Sequence, residues 1–292
     1  MPIVIDAPPL AAQVGCVDHP DLTGMLERVR HEVMTIPDDW VIGYGEFQSG
    51  GWGTLSLLNV TGNARDVTIA DATAILTGLL ARMPATAALL ERLGLDYMWA
   101  RLALLAPGAY LWEHRDYQEP DLTVTERHRL HIPITTSSAA FLVLAGRAVH
   151  LEAGKLWRLT PTFVHGACNR AGPARIHLLL DCYASPSLAE LRAGEQVPGT
   201  CVRELPQATE QVLAERAATA RRLAALGYLR AAEQHLLRLF FTHALPEGHA
   251  YDMIADMHAA RGDVDAAARW RARKPIMLGT RPAGTGSVND GQ

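Results

Sequence analysis

The chain has 292 residues, 49% of them hydrophobic, with 27 basic and 31 acidic side chains and a formal net charge of −4. That length fits one large domain or one domain with a smaller companion, and the apolar fraction supports a sizeable core, which excludes global disorder. A charge so close to balance excludes the broad basic face of a nucleic-acid binder. Four scattered cysteines, Cys16, Cys168, Cys182 and Cys201, show no C-x-x-C spacing and read as reduced thiols. Met1 to Gln13 has no basic n-region, and no run approaches 18 apolar residues. A cytoplasmic protein without a membrane partner is expected.

Residues 1–20 are Pro-rich and read as irregular. Leu22, Met25, Leu26, Val29 and Val33 recur at helical spacing and predict a helix from about Asp21 to Met34. Gly50, Gly51 and Gly53 lead into a β-type run, Thr54 to Val60. From Ile69 to Leu93 the pattern suggests two helices broken near Pro84.

Between Tyr97 and Tyr183 short β-like runs alternate with turns. They are Met98–Leu105, Arg129–Thr135, Ala140–Ala145, Ala148–Leu151, Lys155–Leu159 and Arg175–Cys182. Strands at this spacing predict a sandwich or barrel with the earlier helices packed outside. Residues 1–183 thus form one expected domain, and 184–208, rich in Pro and Gly, an expected linker. Residues 209–278 are Ala-rich and helical. Around Gly227 and Gly262, 35 residues apart, two segments resemble each other at close to the tetratricopeptide period of about 34. Two such units are too few to stand alone, so they should pack on the β domain or on a second subunit, and a homodimer interface would suit them. The tail, 279–292, is expected to be disordered.

Of the 12 histidines, six fall between His114 and His177. His114-Arg115-Asp116 is an H-x-D pair, and in an extended segment residues i and i+2 share a face. His165, about fifty residues later, can join them. Two histidines and one carboxylate make the facial triad of non-haem Fe(II) oxygenases, which leaves positions open for a co-substrate and O₂. Ten residues after His165, Arg175 lies in an apolar run that reads as a buried strand. A buried arginine needs an anion, and its planar fork suits the far carboxylate of an iron-chelating dicarboxylate. The other reading of Arg175 is an ion pair with Asp181. Arg101, mid-strand among apolar residues, is a candidate for holding an amino-acid carboxylate. His128, His150 and His177 read as structural or supporting residues, and His177 shares the face of Arg175.

Arg129-Leu130-His131-Ile132-Pro133 resembles the Arg-x-His-x-Pro signature of the aspartyl/asparaginyl β-hydroxylase family. Trp112–Tyr117, Gly154–Trp157, His165–Asn169 and Arg175–Asp181 follow in the family's order. The likeness runs over roughly residues 40–190 and is nearest to the bacterial branch that includes L-proline cis-4-hydroxylases, where Trp52 and Asn59 also match. The resemblance implies an α+β protein with a double-stranded β-helix (jelly-roll, cupin-like) core, flanking N-terminal helices and a helical C-terminal region. It implies Fe(II), 2-oxoglutarate and O₂, with His114, Asp116 and His165 as iron ligands and Arg175 as co-substrate clamp. Arg129 and His131 would line the site near the co-substrate or the substrate carboxylate, and Trp52 would wall the substrate pocket. Asp116 completes a full triad, which disfavours halogenation.

The expected activity is hydroxylation of an unactivated C–H of a free amino acid, proline-like or other, with release of succinate and CO₂. The alternatives are hydroxylation of an Asp, Asn or other residue within a peptide or a carrier-bound intermediate, and a non-catalytic tetratricopeptide-like binding module. A 2-oxoglutarate-independent iron dioxygenase would leave Arg175 without a purpose, and a zinc hydrolase would lack a placed general base.

Overall fold

The computed structural model describes residues 8–37, 39–117 and 126–279. Among these, the strands form two antiparallel sheets that face each other. The larger has the order β1-β9-β6-β11-β4-β2-β3 and the smaller β12-β8-β7-β10-β5. In chain order the strands are β1 (Val14–Asp18), β2 (Trp52–Asn59), β3 (Ile75–Leu76), β4 (Tyr97–Leu105), β5 (Ala109–His114) and β6 (Arg127–Thr135). They continue with β7 (Ala140–Leu144), β8 (Arg147–Val149), β9 (Lys155–Leu159), β10 (His165–Asn169), β11 (Arg175–Tyr183) and β12 (Val202–Glu204). This non-sequential order in two facing sheets is a jelly roll. The helices are α1 (Leu10–Gln13), α2 (Pro20–Met34), α3 (Pro84–Leu93), α4 (Pro186–Leu191), α5 (Glu210–Ala225), α6 (Leu229–Leu237), α7 (His249–Ala260) and α8 (Val264–Leu278). No described helix is long and apolar enough to cross a membrane.

Period-two alternation sorts each strand between two environments. On β11, Ile176, Leu178, Leu180 and Cys182 join the core under α2 and α3. Arg175 and Leu179, at the opposite parity, line a cavity between the sheets. On β7, Leu142 and Leu144 pack inward, while Phe141 and Val143 pack outward against the C-terminal helices. Polar side chains reach the cavity because each strand gives its other face to a covering layer of helices.

Three segments differ from the sequence reading. Residues 69–82 hold β3 and a 3₁₀ turn at Leu80–Arg82 rather than a helix, and only α3 follows. Pro84 opens α3 instead of breaking a helix pair, since its fixed φ and missing N–H suit a first turn. Upstream, pairing of Leu58 with Leu76 draws the chain into an edge strand. The N-terminal stretch includes β1, which pairs with β9 over five positions; Gly15 lies so near Glu195 that a Cβ would meet its Cγ at 2.4 Å. Residues 184–208 are not irregular: they carry α4 and then β12, which adds an edge to the smaller sheet. The C-terminal helices form two hairpins, α5/α6 and α7/α8, whose turns use Gly227 at φ 87° and Gly262 at φ 78°. Their apolar faces close over the smaller sheet, where Ala232, Leu236, Phe241 and Ile254 share a cluster with Trp112, Phe141, Val143 and Cys168. The tail beyond Gly279, expected to be disordered, lies outside the described residues.

Candidate active site

His114 and His165 sit directly opposite each other on β5 and β10. Their facing depends on a bulge: Ala167 pairs with Leu111, so β5 carries one residue more than β10 over this stretch. A bulge re-aims the side chains beyond it. Leu111 lines the cavity, and without the extra residue His114 would point outward with Trp112. The bulge turns His114 inward and sends Glu113 out toward the C-terminal helices.

The two rings lie 4.3 Å apart between centroids. Each Nδ1–H donates to a main-chain carbonyl, His114 to Trp112 at 2.7 Å and His165 to Phe163 at 2.9 Å. That fixes the tautomer and leaves each Nε2 lone pair facing Asp116. Nε2 of His114 is 3.6 Å from Oδ1 of Asp116, and Nε2 of His165 is 3.7 Å from Oδ2. One donor atom from each of the three lies within 4.8 Å of the others, so the set has the shape and chemistry to hold one metal ion. Burial, with the charge of His114 next, pushes the His165 imidazole down to about 3. Burial opposes ionisation of Asp116, yet Arg129 and the two histidines hold its carboxyl well below the usual range. A neutral His165 imidazole beside an ionised Asp116 carboxylate suits a metal ligand set.

The cavity has a volume of about 220 Å³ and brings together all eight residues singled out in the sequence: Trp52, Arg101, His114, Asp116, Arg129, His131, His165 and Arg175. Their engagements differ. Arg129 is committed to carboxylates, with Nη1 donating to Asp116 and Nε to Asp181 at 2.7 Å, while its Nη2 reaches the Tyr117 hydroxyl at 3.1 Å. Arg101 donates from Nη1 to Asp181 at 2.7 Å and lies 3.6 Å above the Trp99 ring, and its buried Nε has no partner. Arg175 alone among the three has no carboxylate at ion-pair distance among the described residues; its Nη2 donates to Nδ1 of His177 at 3.0 Å. Burial pushes the Arg175 guanidinium down to about 10, so it stays cationic at neutral pH. The pairing of Arg175 with Asp181 does not form, because Asp181 lies directly opposite Arg129 on β6 and faces Arg101 from β4. His131 and His177 stand edge to face, and each has a buried Nε2 without a partner among the described residues. Burial, and then Arg175, drives both imidazoles well below their ordinary value. His128 and His150 lie off the cavity, on Glu126 and the Ala140 carbonyl.

The sequence reading named Asp181 only as a possible partner of Arg175 and gave no site role to Tyr117, Tyr44, Phe47, Trp99 or Ile276, all cavity or network residues. Only Asp181 had a usable signal: a charged residue closing an otherwise apolar run, at the parity of Arg175.

A jelly roll around a His-Asp-His donor set, with a buried arginine on the facing sheet that has no carboxylate partner among the described residues, is the arrangement of Fe(II)- and 2-oxoglutarate-dependent hydroxylases. The chain belongs to the aspartyl/asparaginyl β-hydroxylase family, whose family model matches residues 23–185, over half its length. It is 24% identical over 249 residues to an L-proline cis-4-hydroxylase of Rhizobium meliloti (strain 1021), covering 82% of this chain and 87% of that one. It is 28% identical over 142 residues to an L-proline cis-3-hydroxylase 1 of a Streptomyces species, covering 47% and 49%. Among solved structures, HygX of Streptomyces hygroscopicus with nickel and 2-oxoglutarate bound overlaps 61% of this chain and 85% of its own, at a TM-score of 0.40 and 10% identity.

Proposed function

We propose that the chain hydroxylates a free, proline-like amino acid at an unactivated C–H, consuming 2-oxoglutarate and O₂ and releasing succinate and CO₂. The observation that carries this reading is Arg175, a buried cation on the cavity wall with no carboxylate partner among the described residues. Leaving such a charge unpaired costs several kcal/mol, roughly, unless an anionic ligand meets it.

In this reading His114, Asp116 and His165 hold Fe(II), which supplies O₂ activation when bound. The main-chain carbonyls of Trp112 and Phe163 keep both ring protons on Nδ1 and so keep Nε2 available. Arg129 holds the Asp116 carboxylate in place and keeps it ionised. Arg175 takes the distal carboxylate of 2-oxoglutarate in a charge-assisted grip. His131, whose Nε2 has no partner, offers a ring N–H to the co-substrate when its proton sits there. Arg101, held on Trp99 and Asp181 with its Nε unpartnered, takes the carboxylate of the amino acid, and Trp52 with Tyr44, 5.4 Å between ring centroids, walls its hydrocarbon part. The match to the L-proline cis-4-hydroxylase covers most of this chain, which supports a substrate of that size.

A peptide or carrier-bound substrate is the second reading, and the helical hairpins bear on it. The apolar faces that a peptide would use are packed against the smaller sheet. Incubation with Fe(II), 2-oxoglutarate and a panel of free amino acids, read by mass spectrometry and succinate release, tests the choice. One oxygen added to L-proline or a close analogue is expected. Succinate released with no amino acid oxidised would move the substrate to a peptide or carrier.

A further inference from the structure

Helix α8 ends in the turn Pro275–Leu278, closed by the N–H of Gly279 donating to the Pro275 carbonyl at 2.8 Å. Met277 and Leu278 are buried in the cluster that binds the helices to the smaller sheet. Ile276, just before them, is 59% exposed, yet it lines the cavity that holds His114, Asp116 and Arg175. An isoleucine this exposed adds little to folding, and its place in the cavity wall leaves its apolar side chain available to a ligand.

The turn is fixed to the site by several ties to the bulged end of β5. The N–H of Arg115 donates to the Met277 carbonyl at 2.9 Å. The N–H of Gly248, just before α7, donates to Oε1 of Glu113 at 2.7 Å, and the Tyr251 hydroxyl donates to the Glu113 carbonyl at 2.6 Å. The Arg115 guanidinium donates to Glu247 at 2.5 Å and to the Thr162 carbonyl at 3.0 Å. The residues on either side of His114 are therefore held by the C-terminal helices, and those helices place Ile276 at the cavity.

We propose that Ile276 is a specificity-determining residue: the last turn of α8 presents its side chain to the hydrocarbon face of the bound amino acid, alongside Phe47 and Trp52. The substrate class it fits is an α-amino acid with a compact apolar ring or side chain. This assignment rests on the proposed function. It gives the helical region a second task beside covering the smaller sheet, which is to complete the active-site wall from outside the jelly roll.

The test uses the full chain with Ile276→Ala, Ile276→Asp and Ile276→Trp. Because the side chain is exposed, all three should fold with the melting temperature of wild type. Ile276→Ala is expected to raise the KM for L-proline about fivefold and Ile276→Asp about thirtyfold, through lost apolar contact and the added charge. The dissociation constant for 2-oxoglutarate, titrated without O₂, should stay within twofold in both. Ile276→Ala should improve the six-membered-ring homologue relative to proline, and Ile276→Trp should reject it. Wild type stimulated by proline, with variants of unchanged KM and unchanged ring-size preference, would overturn the assignment alone. A wild type that no free amino acid stimulates would overturn the proposed function and this assignment with it.

Discussion

The Nη2 of Arg175 donates to Nδ1 of His177 at 3.0 Å, and this is the only described polar contact of a buried cation that has no carboxylate beside it. A neutral imidazole orients the guanidinium without neutralising it. Under the proposed function that charge meets the distal carboxylate of 2-oxoglutarate.

Replacing that cation should separate function from stability. Arg175→Met is expected to raise the KM for 2-oxoglutarate at least tenfold, since a charge-assisted bidentate grip is lost. The melting temperature should stay the same or rise, because an unpaired buried charge is removed. Addition of 2-oxoglutarate with metal should raise the melting temperature of wild type, by about 2.7 kcal/mol of stability at a hundredfold excess over Kd, and not that of the variant. Thermal melts with and without co-substrate read both effects.

Asp181 should behave in the opposite way. It is fully buried and bridges Arg101 and Arg129, which in turn reaches Asp116. Asp181→Ala leaves two buried guanidinium groups without their shared carboxylate, and the expected loss is about 3–5 kcal/mol in urea unfolding. Asp181→Asn keeps hydrogen-bond acceptors and should lose less. In Asp181→Asn, metal affinity should also fall, because Arg129 no longer holds Asp116 against a fixed anchor.

His131 and His177 contribute to the pH dependence of stability, in the same sense as His165. Both are depressed below the ordinary imidazole value in the folded chain. The unfolded chain therefore takes up protons that the folded one does not, and stability must fall as the pH drops below about 6.5. Above that the contribution is fully present. His177→Gln, which keeps an acceptor for Arg175, is expected to show a shallower decline of melting temperature between pH 6.5 and 5 than wild type.

The docking of the helices on β5 can be loosened at Gly248. Its φ of 72° is left-handed, and a Cβ there would lie 2.5 Å from Cε of Lys274 and 2.7 Å from Cδ1 of Leu278. Gly248→Ala should cost about 1–3 kcal/mol and raise hydrogen exchange in the Pro275–Leu278 turn. Exchange confined to other segments would contradict the described tie.

Much of this was legible in the chain. β6, β7, β9 and β11 are β-like runs bounded by turn signals, and spacing of two put Arg129 with His131 and Arg175 with His177 on shared faces. The H-x-D pair, the distal histidine and the arginine ten residues on were equally plain, because their chemistry is tied to local spacing. β5 was not, since the bulge at Trp112 and Glu113 breaks the period that marks a strand. β10 is short, and its Gly166 and Ala167 give little β signal. The role of Asp181 depends on partners 80 and 52 residues away that only the order β4-β11-β6 brings together. Ile276 reaches the cavity through packing of α8 on the smaller sheet, which no local pattern encodes.

The most direct test of the central claim is turnover of L-proline with Fe(II), 2-oxoglutarate and ¹⁸O₂, with products read by mass spectrometry. One labelled oxygen in the hydroxylated amino acid and one in succinate, formed in equal amounts and lost in His165→Ala, is the predicted result. Oxidised amino acid formed without loss of 2-oxoglutarate, or formed equally well by His165→Ala, would contradict it.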